Sequence, residues 1–213
     1  MGLEPRRGDP RRDGGATKSH FMRNLQTERL VLRKWQLSDA DDLYEYACNP
    51  LVGPSAGWAP HQSRQDSETL IRTHFRCVTF HWAMVLPEHG KVIGGINLTR
   101  DLKRNYLGAR TLGYSMNPAY WGNGYMTEAA RTILAFGFYD LDCGIISVYH
   151  YPDNERSKRV IERLGFTYEG VLRRSSQLFD GQLHDNWCYS MTEEEFRRNY
   201  RESRHLSSGN GVR

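Results

Sequence analysis

Two stretches of this 213-residue sequence place chemically capable residues at a useful spacing. The first is Gly113-Tyr-Ser-Met-Asn-Pro-Ala-Tyr-Trp-Gly-Asn-Gly-Tyr-Met-Thr-Glu-Ala-Ala130. A strand-like run meets a turn holding Gly122 and Gly124, and a helix starts at once. Consecutive backbone N–H groups in such a turn lack partners of their own, and a helix N-terminus carries a partial positive charge. The segment can therefore cradle an anion of diphosphate type. Glycine suits the turn because a Cβ would hinder close approach of the anion's oxygens. A plain strand–turn–helix connection would read the same way. Two common phosphate loops are excluded: Thr127 stands where the third Gly of a GxGxxG fingerprint belongs, and no Gly-Lys-Ser/Thr follows. The second stretch is His150-Tyr-Pro-Asp-Asn-Glu-Arg-Ser157, where again a strand ends and a helix begins. Asn154 and Ser157 lie three apart, on one side of the first helical turn. Read as structure alone, Asn154 is an N-cap and Ser157 a small packing residue.

The elements that must hold these stretches are legible in the periodicity. Arg29 to Trp35 reads as a strand, and Ser38 is placed to cap a helix that runs to about Ala47, with Asp39, Asp41 and Asp42 in its first turn. A long Gly/Pro-rich loop follows over 52–60, and Ser63 to Cys77 reads as a second helix with Leu70, Ile71, His74 and Phe75 on one face. Residues 80–86, 91–98 and 107–117 read as strands, the first two as a hairpin. The helix from Gly124 to Tyr139 presents Met126, Ala130, Ile133, Leu134 and Gly137 to a sheet. Ile145–His150 is a buried-type strand. The helix from Asn154 to Leu164 turns Ser157, Val160, Ile161 and Leu164 inward and stops at Gly165. Two long strands, 167–178 and 183–192, meet at Asp180-Gly181, and a charged helix follows from Glu193. The order is β-α-α-β-β-β-α-β-α-β-β, an α/β (α+β) domain over 25–195 with no internal repeat.

Taken together, TERLVLRKW near the start, YWGNGYMTEA, YPDNERSKRVIERLGF and the final hairpin with DGQLHDNWCYS resemble the GCN5-related N-acetyltransferases (GNAT), most closely their RimJ/RimL-like branch. The resemblance covers about Leu25 to Thr192 in order. It implies a GNAT fold, a mixed sheet of about seven strands with flanking helices. It also implies acetyl-CoA bound where two parallel strands, those ending at Asn117 and His150, splay apart. Trp121, Gly122, Asn123, Gly124, Tyr125 and Met126 match the pyrophosphate loop. The backbone near Met116 and Asn117 matches the strand that pairs with the pantetheine arm, and Asn154 the residue that hydrogen-bonds pantetheine. Ser157 matches a hydroxyl held near the sulfur, where it protonates the leaving thiolate. The sequence departs from the family's pattern at Ala119, where a Gln or Arg is common. It departs again at Ser176, where some ribosomal-protein enzymes carry a glutamate base. Glu169, His184 and Asp185 on or near the final hairpin are the replacement bases, with His184 and Asp185 preferred. Tyr114 and Tyr149 are possible acids, and Trp58, His61, Phe179 and Trp187 are expected to wall an acceptor site.

The expected reaction is direct attack of a primary amine on the thioester. An α-amino group of pKa ~7.8 is roughly 10–15% neutral at pH 7, a lysine well below 0.1%. Weak base catalysis therefore favours a protein N-terminus of ribosomal-protein type. The alternatives are a small amine (antibiotic, polyamine or amino-acid-like) or an acyl-CoA-binding module without turnover. Composition bounds the rest. Apolar residues make up 38% and charged residues 25%, enough for a core. No run of ~18 apolar residues is present, so no membrane association is expected. Net charge is +4, and residues 1–24 carry six Arg/Lys against three acids. The basicity thus sits mostly in a tail expected to be disordered, as are the last residues of 196–213 after the helix end, and direct nucleic-acid binding is not expected. Cys48, Cys77, Cys143 and Cys188 show no CxxC spacing, so no metal site and a reducing cytoplasm are expected. A homodimer is compatible with the family.

Overall fold

The computed structural model describes residues 21–207; most of the expected N-terminal tail, and the last six residues of the C-terminal one, lie outside the described residues. The chain enters through β1 (Leu25–Gln26), which pairs antiparallel with β2 (Val31–Lys34). Helices α1 (Ala40–Ala47), α2 (Gly53–Ala56) and α3 (Arg64–Leu70) follow, then the meander β3 (His81–Leu86), β4 (Lys91–Arg100) and β5 (Ala109–Met116). The second half alternates α4 (Tyr125–Tyr139), β6 (Ile145–His150) and α5 (Glu155–Leu164), and closes with β7 (Thr167–Gln177), β8 (Leu183–Thr192) and α6 (Glu193–Ser207). All strands form one eight-stranded sheet in the order β1-β2-β3-β4-β5-β6-β8-β7. The strand beyond the expected seven is β1, a two-residue partner to β2.

The sheet separates two apolar layers. On one face Trp82, Met84, Ile96, Leu98, Leu112, Ile146 and Val148 pack beneath α4 and α5, whose Ala130, Ile133, Leu134, Ile161 and Leu164 are each at most 1% exposed. The apolar stripes read from the sequence are thus the buried faces of both helices. On the other face Trp35, Ala83, Val85 and Val92 pack against α1 through Leu43 and Tyr46, and against the α3 region through Ile71. Side chains alternate between these faces along each strand, as a pleated strand requires.

Two local expectations are corrected. Ser38 does not cap α1: residues Leu37–Asp39 form a 3₁₀ turn, and Asp39 is the N-cap. The Asp39 carboxylate accepts from the Gln36 N–H at 2.8 Å and holds the Arg33 guanidinium through two 2.8 Å contacts. Burial beside a cation gives Asp39 more to gain than a solvent-facing serine. The helix expected over 63–77 starts as read, with Ser63 and Asp66 exchanging hydrogen bonds in a capping box, but Ile71–Phe75 is a π-helical turn. Its wider spacing shifts the face: Ile71 stays buried and Phe75 meets Trp35 at 4.9 Å, while His74 turns outward.

Candidate active site

β5 and β6 run parallel but pair only from Ala109↔Ile145 to Thr111↔Ser147. Beyond that they diverge, β5 running on to Met116 and β6 to His150. The backbone lining this opening follows from the β4–β5 register. Asn117 N–H donates to Ile93 O at 2.8 Å and Asp101 N–H to Ala109 O at 3.3 Å, so odd-numbered residues of β5 face β4. The N–H and C=O groups of Tyr114 and Met116 therefore point into the gap, where no strand meets them. The Met116 carbonyl is taken by the Trp121 indole N–H at 3.0 Å.

The gap continues into a cavity of about 240 Å³. One wall is β5 with Tyr114, Ser115 and Met116, and the next is the turn with Trp121, Gly122, Gly124, Met126 and Thr127. The third is α5, contributing Asn154, Ser157 and the arginines 156, 159 and 163. The last wall is the segment 51–56. Among the described residues this lining holds three arginines and no carboxylate. A shallower hollow of about 550 Å³ adjoins it at Gly124, Thr127 and Arg163, and Arg29, Glu128 and Arg131 line that hollow.

The turn has the geometry of an anion cradle. Gly122 and Gly124 hold φ of 82° and 78°, a left-handed backbone that glycine adopts without strain. The first intrahelical bond of α4 runs from Glu128 N–H to Gly124 O. Residues 122–127 have no acceptor for their N–H groups among the described residues, and the helix dipole adds to the same pole. Arg29 braces the turn, donating to Asn123 O at 3.0 Å, stacking 4.4 Å from the Tyr125 ring and pairing with Glu128 at 2.7 Å. Burial works against the Glu128 carboxylate, but hydrogen bonds from Thr27 and Arg29 outweigh it and hold its pKa below the usual range.

Across the cavity Asn154 is the N-cap of α5, its Oδ1 accepting from Ser157 N–H at 3.1 Å, while its Nδ2 donates to Ser55 O at 3.3 Å. Arg156 lies 4.2 Å over the Trp121 ring and reaches Leu51 O at 3.5 Å. Segment 51–56 is thereby docked on the N-terminus of α5. Ser157 is 9% exposed, and its hydroxyl lies 2.8 Å from the Tyr114 hydroxyl. Burial pushes the Tyr114 phenol above its ordinary value, the Ser157 hydrogen bond opposing only in part.

Several expected residues lie elsewhere. The Asn117 side chain faces away from the cavity: it accepts from Ala119 N–H at 3.0 Å and donates to Glu45 at 2.9 Å. Asp185 accepts from Arg174 N–H at 2.7 Å across the hairpin, and His184 packs 5.4 Å from the Tyr151 ring; neither lines the cavity. Ser176 accepts from Asn186 at 2.7 Å. Glu169 is committed to Arg104 (2.6 and 2.7 Å) and Ser190 (2.7 Å), and the Tyr149 hydroxyl donates to Asp101. The four aromatic residues expected around an acceptor do not form one wall: Trp58 and His61 pack together, apart from Phe179 and Trp187. Trp58 lies 5.3 Å from His61, whose Nδ1 is 2.7 Å from the Ser67 hydroxyl. Phe179 sits exposed at the β7–β8 turn. Trp187 packs against His150 and Tyr168. Sequence reasoning missed Arg159 and Arg163, and the 51–61 loop, expected to bound an acceptor site opposite the final hairpin, supplies the 51–56 wall of this cavity. The arginines were visible as an i, i+3, i+7 series from Arg156 along α5; nothing in the loop's composition shows where it docks.

A mixed sheet whose central parallel pair opens beside the glycine turn of a helix defines the class: acyltransferases of the GNAT fold. The acetyltransferase (GNAT) domain family matches residues 29–167, and the chain belongs to that family. It is 28% identical over 179 residues to p20, an uncharacterized N-acetyltransferase of Bacillus licheniformis, spanning 82% of this chain and 99% of the relative. It is 27% identical over 190 residues to the ribosomal protein uS5-alanine N-acetyltransferase of Escherichia coli (strain K12), spanning 81% and 92%. Its fold matches a GNAT-family acetyltransferase from Bacillus anthracis with a TM-score of 0.70 at 24% identity, over 81% of this chain and all of that one. A GCN5-related N-acetyltransferase from Brucella melitensis superposes with a TM-score of 0.73 at 20% identity, over 84% of each chain. The chain is thus an N-acetyltransferase of a family that uses acetyl-CoA. No described helix is long and apolar enough to cross a membrane.

Proposed function

We propose that this enzyme acetylates the α-amino group of a protein or peptide, with acetyl-CoA held in the gap between β5 and β6, as a member of the RimJ/RimL-like branch. The observation that carries the reading is the gap itself: parallel pairing stops at Thr111↔Ser147 while both strands continue. The N–H and C=O of Tyr114 and the N–H of Met116, which meet no strand, are suited to the amides of a pantetheine arm. The free N–H groups of 122–127 and the arginines of α5 are suited to a diphosphate, and the adjoining hollow to the nucleotide beyond it. Acetyl-CoA supplies an activated acyl thioester. Ser157 is the group on this chain that hands a proton to sulfur, and Asn154 fixes the backbone from which it acts.

Two features favour an α-amine acceptor. The cavity lining offers no carboxylate to strip a proton from a charged amine, so an amine already partly neutral at pH 7 is favoured. The uS5-alanine relative, named for a ribosomal-protein alanine, is alike over most of both chains. The test measures thiol release from acetyl-CoA with a panel of N-terminal peptides, ribosomal proteins, N-blocked lysine peptides and small amines. Turnover confined to small amines or lysine would refute the α-amine reading. Ser157→Ala should lower kcat at least tenfold and leave the acetyl-CoA Kd within about threefold; parental turnover in that variant removes Ser157 from the reaction.

A further inference from the structure

We infer that Tyr114 is a positioning residue for Ser157, fixing which way the serine hydroxyl points; the inference rests on the proposed role of Ser157 as proton donor to sulfur. The Tyr114 hydroxyl lies 2.8 Å from Ser157 Oγ and 3.4 Å from Ser157 O, so the strong contact is with the side chain. Both residues line the cavity, one from β5 and one from the first turn of α5. They are therefore joined across the point where the strands splay.

The direction of this hydrogen bond decides the chemistry. With Tyr114 donating, Ser157 Oγ is the acceptor and its own proton is free to face the cavity. With Ser157 donating, that proton is committed to the phenol and cannot reach sulfur. A phenol is a much stronger acid than an aliphatic alcohol, which favours the first arrangement, and donation to Oγ also polarises the serine O–H. Tyr114 is not itself the acid. Burial raises its pKa, so a tyrosinate left in the wall of the cavity would be disfavoured. The overall proton balance is unchanged: as the C–S bond breaks and the N–C bond forms, the amine nitrogen loses one proton and the sulfur gains one, with Ser157 exchanging and Tyr114 remaining a phenol.

The experiment is a double-mutant cycle on the full chain. It compares the parent, Tyr114→Phe, Ser157→Ala and the double variant for kcat with a peptide acceptor and for acetyl-CoA Kd by calorimetry. Phenylalanine occupies the same space, so binding reports that the site is intact. The expected result for Tyr114→Phe is a kcat lowered about tenfold with Kd within twofold, and a double variant no slower than Ser157→Ala alone. Unchanged kcat in Tyr114→Phe overturns the inference while leaving Ser157's role in place. So does a double variant slowed by the product of the single effects, or a Tyr114→Phe variant that loses acetyl-CoA binding. Parental kcat in Ser157→Ala removes the serine's role and this inference with it. A parent that binds no acetyl-CoA removes the reading beneath both.

Discussion

His81 is a side chain whose protonation is set by burial. It is 5% exposed, its ring lies 4.1 Å from Phe75 and 6.0 Å from Trp35, and its Nδ1 has no hydrogen-bond partner. Burial, with a smaller push from His74, drives its pKa down to about 3 from 6.5. Burial also lowers His61 and His150. A folded pKa below the unfolded one means the stabilisation is complete above pH 6.5 and is lost as pH falls towards 3. The lowered carboxylates Glu45, Asp66, Glu128 and Glu195 begin to lose theirs only below about pH 4.5, so the window from 6.5 to 5 isolates the histidines. Denaturant titrations at the two ends of that window should show the parent losing more stability than His81→Phe, by about 1.5 kcal/mol. Equal losses would mean that the imidazole is hydrated or paired.

At the scale of elements, the glycine turn, the helix α4 it feeds and the helix α5 across the cavity carry the site. Gly122 has φ of 82°, and a Cβ added there meets nothing within 4 Å. An alanine would therefore cost only backbone strain, about 1 kcal/mol, and a few degrees of Tm. Relaxing that strain rotates the amides that form the anion pole. Gly122→Ala should raise the acetyl-CoA KM about tenfold or more while kcat at saturation changes much less; an unchanged KM would show that the phosphates bind elsewhere. This turn, α4 and α5 were readable in the sequence because each combines a local stop or start signal with a 3.6-residue apolar stripe. Gly165 ends α5 at φ of 80°, and Ser157, Ile161 and Leu164 face inward as their spacing requires. What was not readable depends on partners distant in the chain. Asn117 is drawn to Glu45, 72 residues away, and Glu169 to Arg104, 65 away. The π turn after Leu70 leaves no composition signal, since one added residue per turn is stabilised by packing and not by propensity.

At the scale of the whole molecule, the sheet and its final hairpin commit several carboxylates to service away from the cavity. Glu45 holds Lys91 and Asn117, Asp101 accepts from Tyr149, Glu169 from Arg104 and Ser190, and Asp185 from the Arg174 amide. Each is a structural acceptor whose removal would leave a donor unpaired. Proton loss from the acceptor amine then falls to solvent, and the pH profile should report the amine's own titration. With an N-terminal peptide, kcat/KM should rise about tenfold per pH unit and level off near the α-amine pKa of ~7.8; with a lysine acceptor the rise should continue towards ~10. The profile should be the same in His184→Gln and Asp185→Asn, since neither side chain reaches the cavity. A loss of this amine-set profile in the parent, restored by His184→Gln, would instead make that histidine the base and would require the final hairpin to close on the acceptor.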